Sequence, residues 1–385
     1  MSVTSASGFV ASGVHAGIRR SGPDLALVRS VAPAVGGAVW TTNRIQAAPV
    51  VVSKRHLEVA EPQAVVINAG VANAATGERG IADAEATAVA VADELGLQPN
   101  HVVVLSTGVI GVPLPMERVR AGVREAASSL ETDGLAAARA ILTTDRWPKQ
   151  AVAECGGFVV GGMAKGAGMI HPRLATMLAV VTTDYPLEPG EPISFLRDAV
   201  DASFNRISVD GECSTNDAVV LLAPEGGDAR DPSQDAAFTE CLKAVCADLA
   251  RQIVADGEGA TVVLEIAVHR APSADEARAI ALRVATSPLV KTAAFGHDPN
   301  WGRVLAAAGS APWNGGFARL DPDRLSVSFD GTPVFASGAP TGRVPELGGP
   351  ACRIELDLDL GDGEAAYLAS DLSTDYVKLN AEYTT

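Results

Sequence analysis

The sequence predicts a mixed α/β (α+β) fold with two mixed domains. Short apolar runs typical of buried strands alternate along the chain with segments that carry helical caps and helical periodicity. The 385 residues correspond to two or three domains at about 150 residues each, which is enough chain for a large apolar core. With 47% hydrophobic and 20% charged residues, the composition is that of a globular protein.

Buried strands are predicted where short runs rich in Val, Ile and Leu are bounded by turn residues. These runs are Ala64–Ile67, Val102–Leu105, Leu178–Thr182, Ala218–Leu222 and Val262–Val268. Two later segments, Leu325–Phe329 and Ile354–Leu360, alternate apolar with polar residues. Such alternation predicts strands with one solvent-facing side, as in an antiparallel sheet.

Helices are predicted by their capping residues as much as by their periodicity. The segment Ala82–Leu95 ends at Gly96, a common helix terminator. Ser273 and Glu276 form a capping box that predicts a helix through Ala285. Further predicted helices are one that starts near Pro115 and ends near Leu130, and one over Gln234–Ala255.

Candidate linkers lie where no apolar period is present. They are Tyr185–Pro192, Pro224–Ser233 and Ala336–Gly349. The first supports a boundary between an N-terminal α/β domain, residues 1–184, and a C-terminal α/β domain, residues 185–385.

The charge balance excludes several classes of partner. Thirty basic and 46 acidic residues give a formal charge of −16, which disfavours binding to nucleic acids and to anionic membrane surfaces. No run approaches the ~20 apolar residues of a membrane span, and the N-terminus lacks a signal-peptide pattern. The five cysteines are scattered and odd in number, so they support neither a disulfide framework nor a zinc site, and they favour a cytoplasmic protein.

Polar, Gly-rich blocks are the features that point to an enzyme. Signatures of dinucleotide, phosphate-loop, zinc-protease and serine-hydrolase sites are missing, and the six histidines do not fall at metal-ligand spacing. The remaining blocks are Ser106–Gly108, Lys165–Thr176, Ser203–Asp217, Asp256–Thr261 and Phe295–Arg303. Any one of them could be ordinary turn sequence, and Thr176 alone could simply begin a strand. Five such loops in one α/β chain favour a catalytic site at strand ends.

Several of these blocks resemble the ornithine acetyltransferase family, the glutamate N-acetyltransferases of arginine biosynthesis. The resemblance rests on KGAGMIHPRLATMLAVVTTD, STGVIGVPLPM, SFNRISVDGECSTND, DGEGAT, SPLVKTAAFGHDPNWGRVLAA and DYVKLNAEYTT, which occur in family order over nearly the whole chain. Each motif alone is weak or moderate, whereas together they are very specific.

The resemblance implies that the chain cleaves itself between Ala175 and Thr176. The products would be an α chain, residues 1–175, and a β chain, residues 176–385, which remain intertwined and assemble as an α₂β₂ heterotetramer. Thr176, now an N-terminal nucleophile, would carry the acetyl group from N2-acetyl-L-ornithine to L-glutamate in a ping-pong reaction. Thr107 and the backbone N–H of Gly108 would stabilise the oxyanion.

Substrate contacts implied by the resemblance fall on six residues: Thr143, Lys165, Thr176, Glu258, Asn380 and Thr385. From their chemistry, Lys165 suits a substrate carboxylate and Glu258 suits the ornithine ammonium. Without the resemblance, Lys165 would be interpreted as a solvated lysine and Glu258 as a glutamate at a helix terminus. His171 and Cys213, which also lie in family motifs, are not expected to be catalytic.

Three functions are kept open at this point. The leading one is the transferase, with no cofactor and no metal, and with acetyl-CoA left open as a second donor that would add N-acetylglutamate synthase activity. The second is an N-terminal-nucleophile amide hydrolase of N-acyl amino acids. The third is a non-catalytic small-molecule binding protein.

Overall fold

The computed structural model describes residues 2–171, 177–226 and 230–382. The strands are β1 (Phe9–Val14), β2 (Leu25–Ser30), β3 (Ala34–Trp40), β4 (Ala64–Val71), β5 (Val102–Val109), β6 (Lys149–Cys155), β7 (Phe158–Lys165), β8 (Leu178–Thr183), β9 (Ile207–Ser208), β10 (Ala218–Pro224), β11 (Val263–Ala271), β12 (Pro312–Trp313), β13 (Gly316–Phe317), β14 (Ser326–Phe329), β15 (Thr332–Ala336), β16 (Ala339–Pro340), β17 (Ala351–Asp357) and β18 (Gly363–Ser370). The helices are α1 (Ala48–Leu57), α2 (Gly77–Leu95), α3 (Met116–Ser128), α4 (Leu135–Ala140), α5 (Glu191–Ala202), α6 (Asp235–Ala255), α7 (Ala274–Ala285), α8 (Pro288–Phe295), α9 (Trp301–Ala308) and α10 (Thr374–Glu382). The mixed α/β class is confirmed.

The described residues form two compact units. Unit 1 takes the residues up to Asn205 together with Glu212–Ile253, and unit 2 takes Arg206–Gly211 and the residues from Val254 onward. The boundary expected after residue 184 falls inside unit 1. There β8 pairs in parallel with β10, so that main-chain hydrogen bonds join residues on both sides of that boundary.

Unit 1 is built on two sheets whose inner faces share a core. One sheet has the strand order β1-β2-β4-β5 and the other β3-β10-β8-β7-β6. Side chains alternate along β4, so that Val65 and Ile67 contact the core that also holds Val180 and Val220 of the other sheet. Val66 points to the opposite side and packs in a cluster with residues of α2 and α3. A sheet that is buried on both faces explains why the predicted strands of this unit read as continuous apolar runs.

Unit 2 carries a mixed sheet with the order β16-β15-β14-β17-β11-β18-β9. Along β17, Ile354 and Leu356 are buried whereas Arg353 and Glu355 are more exposed and form an ion pair at 3.0 Å. β14 pairs antiparallel with β17. The predicted alternation and antiparallel pairing are therefore confirmed, and α7 packs against β11 and β18 on the apolar side.

The predicted helix caps are present. Gly96 adopts the left-handed conformation (φ 68°) after α2, and the Ser273 side chain accepts a hydrogen bond from the Glu276 N–H at the start of α7. In the described part of the chain, no helix combines the length and the apolarity that crossing a bilayer requires.

The expectation that the cysteines support no disulfide is wrong for one pair. Cys155, at the end of β6, is bonded to Cys241 on α6, with Cα atoms 6.1 Å apart. The two residues are separated by 86 positions, so their proximity arises from the packing of α6 and is invisible in the spacing of the cysteines. Cys213, Cys246 and Cys352 are not part of a disulfide bond.

Candidate active site

The Ser-Thr-Gly block lies at the end of β5, where the strand runs beside the end of β4. Thr107 is 5% exposed. Gly108 has φ +131°, and a Cβ atom there would lie 2.2 Å from the carbonyl carbon of Gly70. Only glycine fits, because any side chain would collide with backbone in addition to being strained.

Buried amides fix this strand end. Ser106 Oγ donates to Asn68 Oδ1 at 2.5 Å. Asn216 Nδ2 donates to the carbonyl oxygens of Ala72 at 2.6 Å and of Ser106 at 2.9 Å. Since Asn216 lies in the STND segment before β10, one side chain bridges both sheets of unit 1. The position of Thr107 is thereby set by side chains from three separate chain segments.

Lys165, the last residue of β7, brings a buried ammonium group to Thr107. Its side chain is 2% exposed, and Nζ lies 3.4 Å from Thr107 Oγ1. Nζ also lies 4.0 Å from Oδ2 of Asp145. The structure thus brings together two predicted site residues that are 58 positions apart in the chain.

Asp145 is the shared partner of several groups and was not among the predicted site residues. Lys149 Nζ contacts its Oδ1 at 2.6 Å. Thr143, a predicted substrate contact, donates to Oδ2 through its backbone N–H at 3.0 Å. Burial favours the neutral acid, but the charges of Lys165 and Lys149 and the hydrogen bonds outweigh it and hold the pKa of Asp145 well below its ordinary value. Asp145 is therefore a carboxylate.

A second buried acid, Asp217, has its pKa shifted in the opposite direction. It is fully buried, and its Oδ1 accepts a hydrogen bond from the Met177 N–H at 3.0 Å. Burial raises the pKa of Asp217 well above its ordinary value, although the Met177 N–H and the charge of Lys165 oppose the shift. The charge of Lys165 acts on both acids, yet the pKa values of Asp145 and Asp217 are shifted in opposite directions, as is common for acids with separate roles in enzymes.

Three predicted residues lie outside the described residues: Ala175, Thr176 and Thr385. Their roles remain predictions. Met177, which follows Thr176 in the sequence, is buried and directly precedes β8.

The other two predicted substrate contacts lie in unit 2 and touch each other. Asn380 Nδ2, on α10, donates to Glu258 Oε2 at 2.9 Å. The turn that carries Glu258 is held close to α10, because a Cβ atom on Gly259 (φ +67°) would lie 2.4 Å from the Tyr376 nitrogen. Ser373 Oγ also donates to the Gly259 carbonyl oxygen at 2.6 Å. This contact could not be predicted from the sequence, because the two residues are 122 positions apart.

The sequence model of the ArgJ family matches residues 10–385. This chain belongs to the ArgJ family. The prediction made from the motifs is confirmed, and the protein is an acyltransferase of arginine biosynthesis.

Full-length relatives agree with this assignment. The arginine biosynthesis bifunctional protein ArgJ of Mycolicibacterium paratuberculosis is 47% identical and aligned over 99% of this chain and 96% of its own length. The protein of the same name from Symbiobacterium thermophilum is 46% identical over 100% of this chain and 98% of its own length.

Two solved ArgJ-type chains are similar over part of this chain. One is the bifunctional protein ArgJ of Bacillus halodurans, 40% identical, which covers 46% of this chain and 94% of its own, with a TM-score of 0.43. The other is an ornithine acetyltransferase of Mycobacterium tuberculosis, solved with ornithine, 42% identical, covering 44% and 94%, with a TM-score of 0.41.

We expect Asp217→Asn to stabilise the protein increasingly as pH rises. A carboxyl whose pKa is raised by folding binds its proton more tightly in the folded state, so the contribution of Asp217 to the free energy of unfolding declines as pH rises above the ordinary pKa of Asp, near 3.8. Asparagine has no proton to lose. The free energy of unfolding should be compared at pH 4.5 and pH 8 for chains in the same cleavage state.

The matched control is Asp198→Asn, the same change on the exposed side of α5. It should leave the pH dependence of wild-type stability in place. An Asp217→Asn variant whose advantage over wild type does not grow between the two pH values would contradict the raised pKa of Asp217.

Proposed function

We propose that this acyltransferase moves the acetyl group of N2-acetyl-L-ornithine to L-glutamate through an acetyl-Thr176 intermediate in the cyclic pathway to arginine. The observation that carries the proposal is the buried pair of Lys165 and Thr107, with Nζ and Oγ1 3.4 Å apart, beside the glycine-specific backbone of Gly108. A hydroxyl and an ammonium group meet there, and the backbone N–H of Gly108 belongs to the next residue of the strand end. Acyl transfer needs such groups to bind a carboxylate substrate and to stabilise an oxyanion.

The nucleophile would arise by self-cleavage. The Thr176 hydroxyl attacks the Ala175 carbonyl carbon, and the peptide nitrogen leaves as the amine of Thr176, which converts the amide into an ester. Water then hydrolyses the ester. The products are a carboxylate on Ala175 and a Thr176 that carries a free α-amine beside its hydroxyl.

The free amine supplies the base for turnover. An α-amino group has an ordinary pKa of about 8, so a substantial fraction is neutral near physiological pH and accepts the hydroxyl proton during attack. The first half-reaction acetylates Thr176 and releases ornithine. The second returns the acetyl group to the α-amine of glutamate. No histidine base is required for either step.

Each half-reaction passes through a tetrahedral oxyanion, for which we propose Thr107 Oγ1 and the Gly108 N–H as hydrogen-bond donors. Both are fixed before substrate arrives, since the amide network around Ser106 and Asn216 holds the strand end. Fixed donors cost no reorganisation in the transition state.

Substrate recognition is assigned to the remaining predicted residues. Lys165 takes a substrate carboxylate, and Glu258 takes the side-chain ammonium of ornithine, with Asn380 holding the Glu258 carboxylate at 2.9 Å. Thr143, Thr176 and Thr385 complete the proposed contacts. A charged partner for each end of the substrate suits amino-acid ligands.

The finer features of the prediction are also proposals. They are an α₂β₂ heterotetramer of α chains, residues 1–175, and β chains, residues 176–385, and a cytoplasmic location. Since the curated relatives are named bifunctional, we propose acetyl-CoA as a second acetyl donor, which would add N-acetylglutamate synthase activity. The alternative of an amide hydrolase is decided by whether glutamate or water accepts the acetyl group.

The purified protein should appear as two polypeptides, residues 1–175 and 176–385, in denaturing mass spectrometry, and Thr176→Ala should remain one chain.

With labelled N-acetylornithine, label should appear in N-acetylglutamate only when glutamate is added. Label released as acetate at the same rate without glutamate would favour the hydrolase, and an uncleaved, fully active chain would overturn the mechanism. Labelled acetyl-CoA, tested separately, reports the second donor.

Thr107→Ala should lower kcat by about 10²- to 10³-fold, because one oxyanion donor is typically worth ~2.7 to 4 kcal/mol in the transition state. Thr107→Ser keeps the hydroxyl and should retain most of the activity. Both variants should be assayed as cleaved protein, so that slow self-cleavage is not counted as slow turnover. Near-normal kcat in Thr107→Ala would remove this assignment.

Glu258→Gln should raise KM for N-acetylornithine by about 10- to 100-fold, the equivalent of losing a charge-assisted hydrogen bond worth ~1.5 to 3 kcal/mol. KM for glutamate should change much less, because glutamate has no side-chain ammonium. The control is Glu364→Gln, the same change at an exposed position of β18. Equal changes in both KM values would contradict the ammonium assignment.

A further inference from the structure

Arg19 lies in the connection between β1 and β2 and contacts a segment of the proposed site. Its side chain is half-buried. Nη1 donates a hydrogen bond to the Leu142 carbonyl oxygen at 2.7 Å, and Nη2 donates to the Pro23 carbonyl oxygen. Leu142 directly precedes Thr143, a proposed substrate contact, and is 123 positions from Arg19 in the chain. The guanidinium group therefore ties the β1–β2 connection to the loop after α4.

The peptide unit between Leu142 and Thr143 is held at both of its polar groups. Its carbonyl oxygen accepts a hydrogen bond from Arg19, and its N–H donates to Asp145 Oδ2 at 3.0 Å. A peptide unit is planar, so hydrogen bonds to two separate partners restrict both its position and its orientation. Because the Thr143 Cα atom belongs to the same plane, Arg19 and Asp145 together determine where the Thr143 side chain begins.

The stem of Arg19 packs on the strand end that carries the proposed oxyanion donors. A Cβ atom on Gly70 (φ +111°) would lie 2.6 Å from Arg19 Cγ, so a side chain there would displace the stem in addition to being strained. Gly70 is in register with Gly108 across β4 and β5. One arginine thus spans the distance between the strand end with Gly108 and the loop with Thr143.

The β1–β2 connection also fixes the backbone of Arg19. The carboxylate of Asp24, which is 0% exposed, accepts hydrogen bonds from the Arg19 N–H at 2.8 Å and from the Ala16 N–H at 2.6 Å. Asp24 is itself tied to β4, since its carbonyl oxygen accepts a hydrogen bond from the Ala69 N–H at 2.9 Å. The backbone, the stem and the guanidinium group of Arg19 are therefore each held by separate contacts, as is expected of a residue that supports a site.

We propose that Arg19 is a positioning residue for substrate binding: by holding the Leu142 carbonyl group, it places Thr143 relative to the oxyanion donors. The proposal rests on the proposed function, in which Thr143 contacts substrate. Arg19 itself is not placed in contact with substrate. One site serves both substrates of a ping-pong reaction, so loss of this placement should weaken the binding of N-acetylornithine and of glutamate alike.

The test is a comparison of substrate binding and self-cleavage in Arg19→Met. Methionine keeps an unbranched stem that can pack on Gly70, but it has no group that can donate to the Leu142 carbonyl oxygen. KM for N-acetylornithine and KM for glutamate should both rise about tenfold or more, the loss typical of one charge-assisted hydrogen bond. The rate constant of self-cleavage, timed in cell-free translation, should match that of wild type, because this step binds no substrate. A merely structural role at the strand end would slow self-cleavage as well.

The matched control is Arg29→Met, the same change on β2. Arg29 is also half-buried and donates to a main-chain carbonyl, that of Leu95 at 3.4 Å, but this contact lies at the end of α2. The control should leave both KM values near those of wild type. Arg19→Gln, whose side chain is shorter than that of arginine, serves where Arg19→Met does not fold, and it should show the same rise in both KM values.

A double-mutant cycle with Thr143→Ala tests whether Arg19 acts through Thr143. If it does, Arg19→Met should raise KM much less in the Thr143→Ala background than in wild type. Increases that multiply in the double variant would overturn the positioning role. Unchanged KM values in both Arg19 variants would overturn it as well.

Calorimetric affinities for L-ornithine and L-glutamate separate this proposal from the proposed function. If wild type binds both amino acids but transfers no acetyl group, the proposed function fails, while weaker binding of both by Arg19→Met still supports the positioning role. Equal affinities in wild type and Arg19→Met would overturn that role, whether or not acetyl is transferred. A wild type that binds neither amino acid would overturn both proposals.

Discussion

The charges buried at the end of β7 constrain the rest of unit 1. Removing an ammonium or a carboxylate from water costs several kcal/mol per ion, and the cost is offset only where partners satisfy the charge at short range. Lys149, Asp145 and Lys165 meet this requirement as a group, since their side chains are 0 to 2% exposed and the carboxylate takes hydrogen bonds from both sides. A shift of the backbone around them would lengthen the contacts of Asp145 with Lys149 and with the Gly166 N–H. A site with this property is rigid before any substrate arrives.

The two buried acids show how one environment can hold a carboxyl group in either state. Asp145 has two cations and several donors within reach, so its charged form prevails despite burial. Asp217 is equally shielded, but its strongest opposing influences are one backbone N–H and the more distant charge of Lys165, and burial prevails. Both acids accept hydrogen bonds, and the difference is the charge of Lys149, which is hydrogen-bonded to Asp145.

Much of the fold was readable from the sequence because local patterns and tertiary burial agree. The run Val102–Leu105 is apolar on both faces, and β5 is indeed covered on both sides. Ser273 caps α7 through a contact with a residue only three positions away. The division into units was not readable, because the pairing of β8 with β10 joins segments 40 residues apart across a linker-like stretch. The Cys155–Cys241 bond and the Glu258–Asn380 contact depend on tertiary packing in the same way.

Sequence patterns pointed to the candidate site where the backbone requires an unusual residue type. They did not point to residues that act only by supporting others through tertiary contacts. Gly108 stood out in the Ser-Thr-Gly block, and the backbone contact with Gly70 explains why glycine is needed. Asp145 is the last residue of the ILTTD segment, but it belongs to no recognisable sequence pattern of its own. An isolated aspartate before a tryptophan and a proline reads as an ordinary loop residue. Its partners Lys149, Gly166 and Lys165 converge only after β6 and β7 pair.

Burial also bears on why a site of this kind would transfer an acetyl group instead of releasing it to water. An acyl-threonine ester can be hydrolysed, and glutamate must compete with water, which is present at a far higher concentration. Shielding helps glutamate in two ways: it limits the water that reaches the ester, and it strengthens the attraction between Lys165 and a carboxylate acceptor. Thr107 and Lys165 are 5% and 2% exposed. Since water brings no carboxylate, Lys165 in its proposed role would favour only the acceptor that does, and would so bias the reaction toward transfer.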